Sequence, residues 1–298
     1  MPKKSNCPLC QSIAYFYSSY PGKFLSCNEL LKCSDCKLIF ANKLPSKDNL
    51  NKYYSSGLFY DQVANPFNTE ILEFSLQLSR SRLKLIFAEG QLNNGTQCLD
   101  IGAGNGQFGV ALHEMDRSAK YDCVEPDNEV RAKIQNLTNN QYSDIDEIKA
   151  GGYDLVVMNQ VLEHVSDPVH FVTSVTQLLS KSGYIYIDVP YKDFLFKPSV
   201  VPHILFWTQK SISYLIEKIG FQMIYCNTVG MPHSKAKLFF NQKTIFSKLS
   251  SPWSYANKIN KLTRFLGIPP MLDTFSQFEA DQYGGERQWL RCIAQKTD

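Results

Sequence analysis

No stretch of the 298 residues approaches the run of about 18 apolar residues that a membrane-crossing helix needs, so no transmembrane span is expected. The N-terminus, MPKKSNCPLC, is basic but has no apolar segment behind it, which argues against a secretory signal. An excess of one charge is also missing. The 31 Lys and Arg stand against 28 Asp and Glu, a formal +3, too little to point to DNA or another nucleic acid, so any basic surface is local. With 16 Gly and 14 Pro the chain is neither low-complexity nor collagen-like, and no repeat with a period of about 20 to 50 residues is present. At 44% apolar and 20% charged it has the composition of a globular protein. Its length suits two units, or one α/β domain with additions, at roughly 150 residues per domain.

Cysteine is plentiful. Nine without an export signal imply a reducing compartment, the cytosol, where thiols bind metals or stay buried. Cys7-Pro-Leu-Cys10 and Cys33-Ser-Asp-Cys36 form two C-x2-C pairs with 22 residues between them. Each pair sets two thiolates on one side of a tight loop, and two such loops complete a tetrahedral sulfur site, the usual setting of structural zinc. The ligand set is closed, so this metal is not expected to act in catalysis. The segment is too small to bury a core of its own, which assigns much of its folding energy to the metal. A redox C-x-x-C is the alternative reading, and Cys27 is a spare. Cys98, Cys123, Cys226 and Cys292 lie among apolar residues and read as core thiols.

A polar stretch from Lys43 to Asn51 reads as a turn into a short helix, and Thr69 to Glu89 as one helix ended by Gly90. These elements suggest a leader at 1–45, a helical linker or lid at 46–90 and a core at 91–298.

The core opens with the apolar run Gln97 to Ile101, the turn Gly102, Gly104, Gly106, the helix QFGVALHEM, and a strand, Tyr121 to Val124, ending at Glu125. Glycines in such a turn let a ligand approach the backbone, the helix N-terminus offers free N–H groups, and the acid can take two ribose hydroxyls. Gly104, Gly106 and Gly109 also satisfy the dinucleotide pattern G-x-G-x-x-G, so the turn by itself does not name the ligand. Tyr153 to Met158 is a further strand, running into Asn159-Gln160-Val161-Leu162-Glu163-His164. Ser166-Asp167-Pro168 starts a helix to about Ser180, and Tyr184 to Val189 is the next strand.

LDIGAGNGQF, the VEP after the second strand, and YDLVVMNQVLEHVSDP together resemble class I S-adenosylmethionine-dependent methyltransferases. The paired cysteines followed by YYSSGLFYD resemble a branch with a zinc-ribbon leader, many of whose members modify sugars in surface-polysaccharide or secondary-metabolite pathways. The resemblance implies a Rossmann-like α/β fold with a seven-stranded sheet in the order 3-2-1-4-5-7-6. It implies that Gly102, Gly104 and Gly106 wrap the methionine part of S-adenosylmethionine, that Asp100 orients its ammonium, and that Glu125 holds the ribose. It places Asp144 by the adenine and adds Asn159 and Tyr60 to the cofactor site. Histidines in the positions of His164 and His203 are associated with the acceptor site in sugar methyltransferases of this branch.

Those two histidines follow the fourth and fifth strands, where ligands of open α/β sheets lie. Methyl transfer to a hydroxyl needs a base near neutrality, a role that suits imidazole. Glu163 can orient an imidazole or face solvent. His113 and His170 fall in helices and His233 in a loop, where no role is expected.

Strands six and seven are expected at Gly220 to Thr228 and Glu286 to Gln295, with an insertion at 230–285 where a short loop is usual. Lys218 to Leu272 carries eight Lys and Arg, no Asp or Glu, and many aromatics; SPWSYANKINKLTRFLG within it reads as an amphipathic helix. A solvated cap, a lid over an anionic acceptor, an RNA patch and a membrane-surface helix touching lipid-linked glycan all fit, the last through 230–272.

The expected activity is a cytosolic enzyme, peripheral to the inner membrane face at most, that O-methylates a sugar or nucleotide sugar. O-methylation is preferred because the ribbon-bearing C-methyltransferases compared carry a further C-terminal domain. An RNA methyltransferase is the alternative, against which stand the low charge and the absence of an Asn/Asp-Pro-Pro-aromatic motif after Met158. A non-catalytic zinc- or cofactor-binding module is the third reading.

Overall fold

Short antiparallel strands build the leader. β1 (Lys4–Asn6), β2 (Ile13–Phe24), β3 (Cys27–Cys33) and β4 (Ile39–Ala41) pair in that order. Each C-x2-C pair sits in a turn closed by a left-handed residue, Gln11 at φ 65° and Lys37 at φ 64°. The computed structural model describes residues 4–63, 65–90, 92–241 and 286–297. Three helices follow the leader. α1 (Lys47–Ser55) is capped by the Ser46 hydroxyl, which accepts from the Asn49 N–H at 3.3 Å. α2 (Leu58–Val63) is short, and α3 (Thr69–Gly90) covers the helix expected there and buries Leu83 and Ile86.

The α/β unit runs β5 (Gln97–Ile101), α4 (Gln107–Met115), β6 (Lys120–Val124), α5 (Asn128–Lys133), β7 (Gln141–Tyr142), β8 (Tyr153–Asn159), α6 (Pro168–Thr176), β9 (Leu179–Pro190) and β10 (Leu205–Phe206). It continues with α7 (Gln209–Lys218), β11 (Phe221–Pro232), α8 (His233–Asn241) and β12 (Arg287–Lys296). The large sheet has the order β7-β6-β5-β8-β9-β12-β11, the expected 3-2-1-4-5-7-6. Pairing is parallel from β7 to β9, and β12 is antiparallel to both its neighbours. Buried on both faces, β8 reads as the continuous run Leu155, Val156, Val157 and Met158.

β10 leaves the α/β unit to join the leader. It pairs antiparallel with β4, Leu205 opposite Phe40 and Phe206 opposite Ile39, as the fifth strand of the small sheet. One apolar cluster runs from Leu30, Leu31 and Phe40 through Trp207 to Ile187 and Leu215. The leader therefore shares the core of the α/β unit.

Three local expectations change. The helix after Asp167 ends at Thr176, because the Leu178 carbonyl takes the N–H groups of Gly152 and Tyr153 and strand pairing starts at Leu179. His233 opens α8 rather than lying in a loop. β11 continues to Pro232 and α8 follows, so 230–241 of the expected insertion is regular structure. The rest of it, including the amphipathic helix read in SPWSYANKINKLTRFLG, lies outside the described residues. Among those described, no helix is long and apolar enough to cross a membrane.

Candidate active site

β5, β6 and β8 end at one cavity of about 290 Å³, near the low end of the roughly 300–1,000 Å³ usual for small-molecule sites. Ile101, Gly102 and Val124 line it from the strand ends, Tyr54, Phe59 and Tyr60 from α1 and α2, and Val161 and His164 from beyond β8. A second cavity of about 230 Å³, with Asn93, Thr96, Asp154 and Lys181 on its wall, lies at the amino ends of β5 and β9 and holds none of the predicted site residues.

Gly102, Gly104 and Gly106 have φ of 74°, 55° and 72°, a conformation that favours glycine. At Gly102 space matters too: a Cβ would stand 2.8 Å from Val161 Cγ2. Gly109 lies inside α4, where a Cβ would come within 2.4 Å of the Tyr121 ring, so its place is packing.

Glu125 is buried at the end of β6. Its Oε2 accepts from the Gly104 N–H at 2.9 Å and from the Tyr60 hydroxyl at 3.4 Å, and its Oε1 from the Asp127 N–H at 3.0 Å. Burial pushes its carboxyl up against these donors. Asp144 also lines the cavity and caps a short 3-10 turn, accepting from the Asp146 N–H at 3.1 Å.

Asp100 and Asn159 stand behind this wall. Asp100 is 1% exposed and accepts from the Tyr121 hydroxyl at 2.7 Å. Its Oδ1 and the Oδ1 of Asn159 are buried without a hydrogen-bond partner. Burial pushes the Asp100 carboxyl up to about 7. The cavity thus gathers Gly102, Glu125, Asp144, Tyr60 and His164, while Asp100, Gly104, Gly106, Asn159 and His203 lie off its lining.

His164 ends a 3-10 turn after β8. The rings of Tyr54, Phe59 and His203 surround it at 5.5, 6.2 and 5.0 Å, and its Nδ1 has no partner. Burial, with His203 beside it, pushes its pKa well down, so the ring is neutral. Glu163 does not face solvent. It is 1% exposed, both its oxygens lack partners, and burial pushes its carboxyl well up. Its Oε1 is 3.8 Å from His164 Nε2. His203 Nδ1 lies 3.0 Å from Asp193 Oδ2.

The four paired cysteines converge, with all four Sγ atoms within 4.8 Å of one another. The contacts are 3.5 Å for Cys7 with Cys36 and 3.3 Å for Cys10 with Cys33, and the Asp35 N–H points at the Cys33 sulfur at 3.4 Å. Four converging soft donors, one already receiving a backbone N–H, fit a tetrahedral metal. Cys27 stands apart; its thiol donates to the Lys43 carbonyl at 2.8 Å, and burial pushes it up to about 11.

Sequence reasoning missed two buried clusters. Asp188, at the end of β9, accepts from Arg82 Nε at 2.8 Å, from Arg291 Nε at 3.1 Å and from Gln160 Nε2 at 3.1 Å. Asp193 joins His203 and Lys197. No local pattern marks either. The β12–β9 pairing sets Arg291 opposite Asp188, and the packing of α3 on the sheet brings Arg82 to the same carboxylate.

No curated protein matches the sequence. Among solved structures, a putative sarcosine dimethylglycine methyltransferase from Galdieria sulphuraria is 19% identical, with a TM-score of 0.51 over 84% of this chain and 99% of that one. A possible histamine N-methyltransferase from Thermotoga maritima is 14% identical, with a TM-score of 0.51 over 84% and 100%. The [4+2]-cyclase SpnF is 12% identical, with a TM-score of 0.52 over 85% and 98%. These likenesses extend to the fold. The sequence profile described as "Methyltransferase domain" matches residues 73–225, just over half of the chain, from within α3 to within β11. With that match on the fold and cavity described above, the chain belongs to the methyltransferase-domain family of S-adenosylmethionine-dependent enzymes.

Proposed function

We propose that this methyltransferase transfers its methyl group to a hydroxyl of a sugar or nucleotide sugar. The observation that carries the chemistry is a neutral, buried His164 on the wall of the same cavity that holds Glu125 and the glycine turn. Glu125 receives the ribose hydroxyls, Asp144 faces the adenine side and Tyr60 closes over Glu125. Gly102, Gly104 and Gly106 admit the methionine part. Asp100 and Asn159, with their unpartnered oxygens, serve its ammonium from behind the wall. S-adenosylmethionine supplies a methyl on a sulfonium, already activated, so the chain mainly positions the two reactants and excludes water. A sugar hydroxyl must also lose its proton, and an imidazole, His164 or His203, takes it. Cys7, Cys10, Cys33 and Cys36 hold a structural zinc. The sugar class is supported by the resemblance of the leader; the fold alone does not select it, since a cyclase shares it.

The test is methyl transfer from labelled S-adenosylmethionine to a panel of nucleotide sugars, with His164→Ala alongside. Transfer to at least one sugar is expected, with cofactor affinity unchanged in the variant and turnover falling roughly 10²–10⁴-fold if His164 itself takes the proton. Label entering unmodified RNA and no sugar would overturn the substrate class. Unchanged turnover would remove His164 from the chemistry.

A further inference from the structure

We propose that Asp193 is a positioning residue for His203: its buried carboxylate holds the imidazole as the Nδ1–H tautomer and leaves Nε2 as the free base. The catalytic part rests on the hydroxyl-methylation reading above; the tautomer part does not.

Asp193 follows β9 and opens a single 3-10 turn, Asp193–Leu195. It is fully buried, yet the carboxylate is not needed to close that turn. The main chain does so, through the Phe196 and Lys197 N–H groups on the Asp193 carbonyl at 3.1 and 2.8 Å. Oδ2 instead meets His203 Nδ1 at 3.0 Å and Lys197 Nζ at 2.9 Å. Burial pushes this carboxyl up, but Lys197 and His203 outweigh burial and hold it below its ordinary value, so it is ionised. An ionised carboxylate only accepts hydrogen bonds, so the proton of the neutral ring has to sit on Nδ1.

The backbone around the ring is pinned from three sides. The His203 N–H donates to the Val200 carbonyl at 2.7 Å, and the His203 carbonyl accepts from the leader's Tyr20 hydroxyl at 2.8 Å. The Ile204 N–H donates to the Glu163 carbonyl at 2.8 Å. With Asp193 fixing the side chain as well, the ring keeps one orientation.

The two histidines thereby become unequal. A proton arriving on His203 gives an imidazolium already bonded to a carboxylate. The same proton on His164 gives a buried cation whose Nδ1 has no partner and whose Nε2 stands 3.8 Å from Glu163 Oε1, beyond hydrogen-bond reach. Asp193 therefore directs the acceptor's proton to His203 and leaves His164 as its neutral neighbour. A different use of the same atoms competes with this one, since Glu163, His164 and His203 each place one potential ligand atom within 4.8 Å of the others.

The experiment is ¹⁵N-histidine NMR on the full chain, with kinetics of Asp193→Asn and Lys197→Met. Wild-type His203 should be the Nδ1–H tautomer. In Asp193→Asn the amide can donate to Nδ1, so Nε2–H should become the main form. Turnover should then fall about 10²-fold with little change in the KM for S-adenosylmethionine. The acid limb of kcat/KM should move to lower pH, a change that loss of a merely structural contact would not produce. Lys197→Met should keep the wild-type tautomer. An Nε2–H wild-type ring overturns the inference even if Asp193→Asn does not fold. So does Asp193→Asn turnover near wild type despite a changed tautomer, or a second metal equivalent per chain that His203→Asn abolishes. If no acceptor sugar is found, the activity reading fails while the tautomer still decides the Asp193 contact.

Discussion

Replacing Asp100 by Asn removes one ionisable group from the end of β5 with almost no change in volume. The folded chain releases this proton at about 7, against an ordinary value of 3.8. The sign follows from the direction. A carboxyl raised by folding contributes stability that is full below the unfolded value and is lost as pH rises through the folded one. The gap is about three powers of ten at 1.36 kcal/mol each, about 4 kcal/mol in all, and at 1% exposure solvent does little to screen it. Asn keeps an oxygen for the Tyr121 hydroxyl and brings an amide toward the unpartnered Asn159 Oδ1. The assay is urea unfolding of cofactor-free wild type and variant at about pH 5 and about pH 8. Glu125 and Glu163, raised in the same direction, titrate in both proteins and cancel in the difference. The variant should gain on the wild type by about 3 kcal/mol across that interval. On the proposed placement of Asp100 by the ammonium, it should also bind S-adenosylhomocysteine more weakly. A stability difference that stays flat with pH, or that runs the other way, would refute the argument.

Glu125→Ala should weaken S-adenosylhomocysteine binding by about 2–3 kcal/mol in calorimetry, and unchanged affinity would remove Glu125 from the ribose site. Purified protein should hold one zinc per chain, and Cys33→Ser should lose it and melt earlier. Because β4 carries β10, and Tyr20 holds the His203 carbonyl, the same variant should also lose turnover while retaining cofactor affinity. Elemental analysis showing no metal in the wild type contradicts the first part, and full turnover in the variant the second.

The elements legible in the sequence are those whose partners are close in the chain or whose backbone is special. The β5 turn was readable because three glycines follow an apolar run, and the helix Gln107–Met115 because it begins at the next residue. The sulfur cluster was readable because each pair of ligands sits in one turn. β10 was not, since two residues carry no periodicity and their partner lies in the leader. The boundary between α6 and β9 is hard to read because Ser180 to Gly183 looks like a turn; it is an irregularity inside β9, between the pairing of Leu179 with Tyr153 and that of Tyr184 with Leu155, with Ser182 at φ 59°. Asp193 could not be tied to His203 because the loop between them has no regular spacing.

The borrowed strand also sets an order of events during synthesis. Phe40 finds its partner in Leu205, 165 residues further on by subtraction. At about 5–20 residues per second, a ribosome needs at least about 8 seconds to deliver it. Until then the small sheet ends at β4, with open hydrogen-bonding groups and with Ile39 and Phe40 lacking the cover they have in the finished protein. All four paired cysteines are made by residue 36. On the proposed zinc site, metal capture can therefore come first and hold the nascent hairpins together while they wait. A chain stalled short of Leu205 presents an unpaired strand edge at β4, the kind of surface that a chaperone covers.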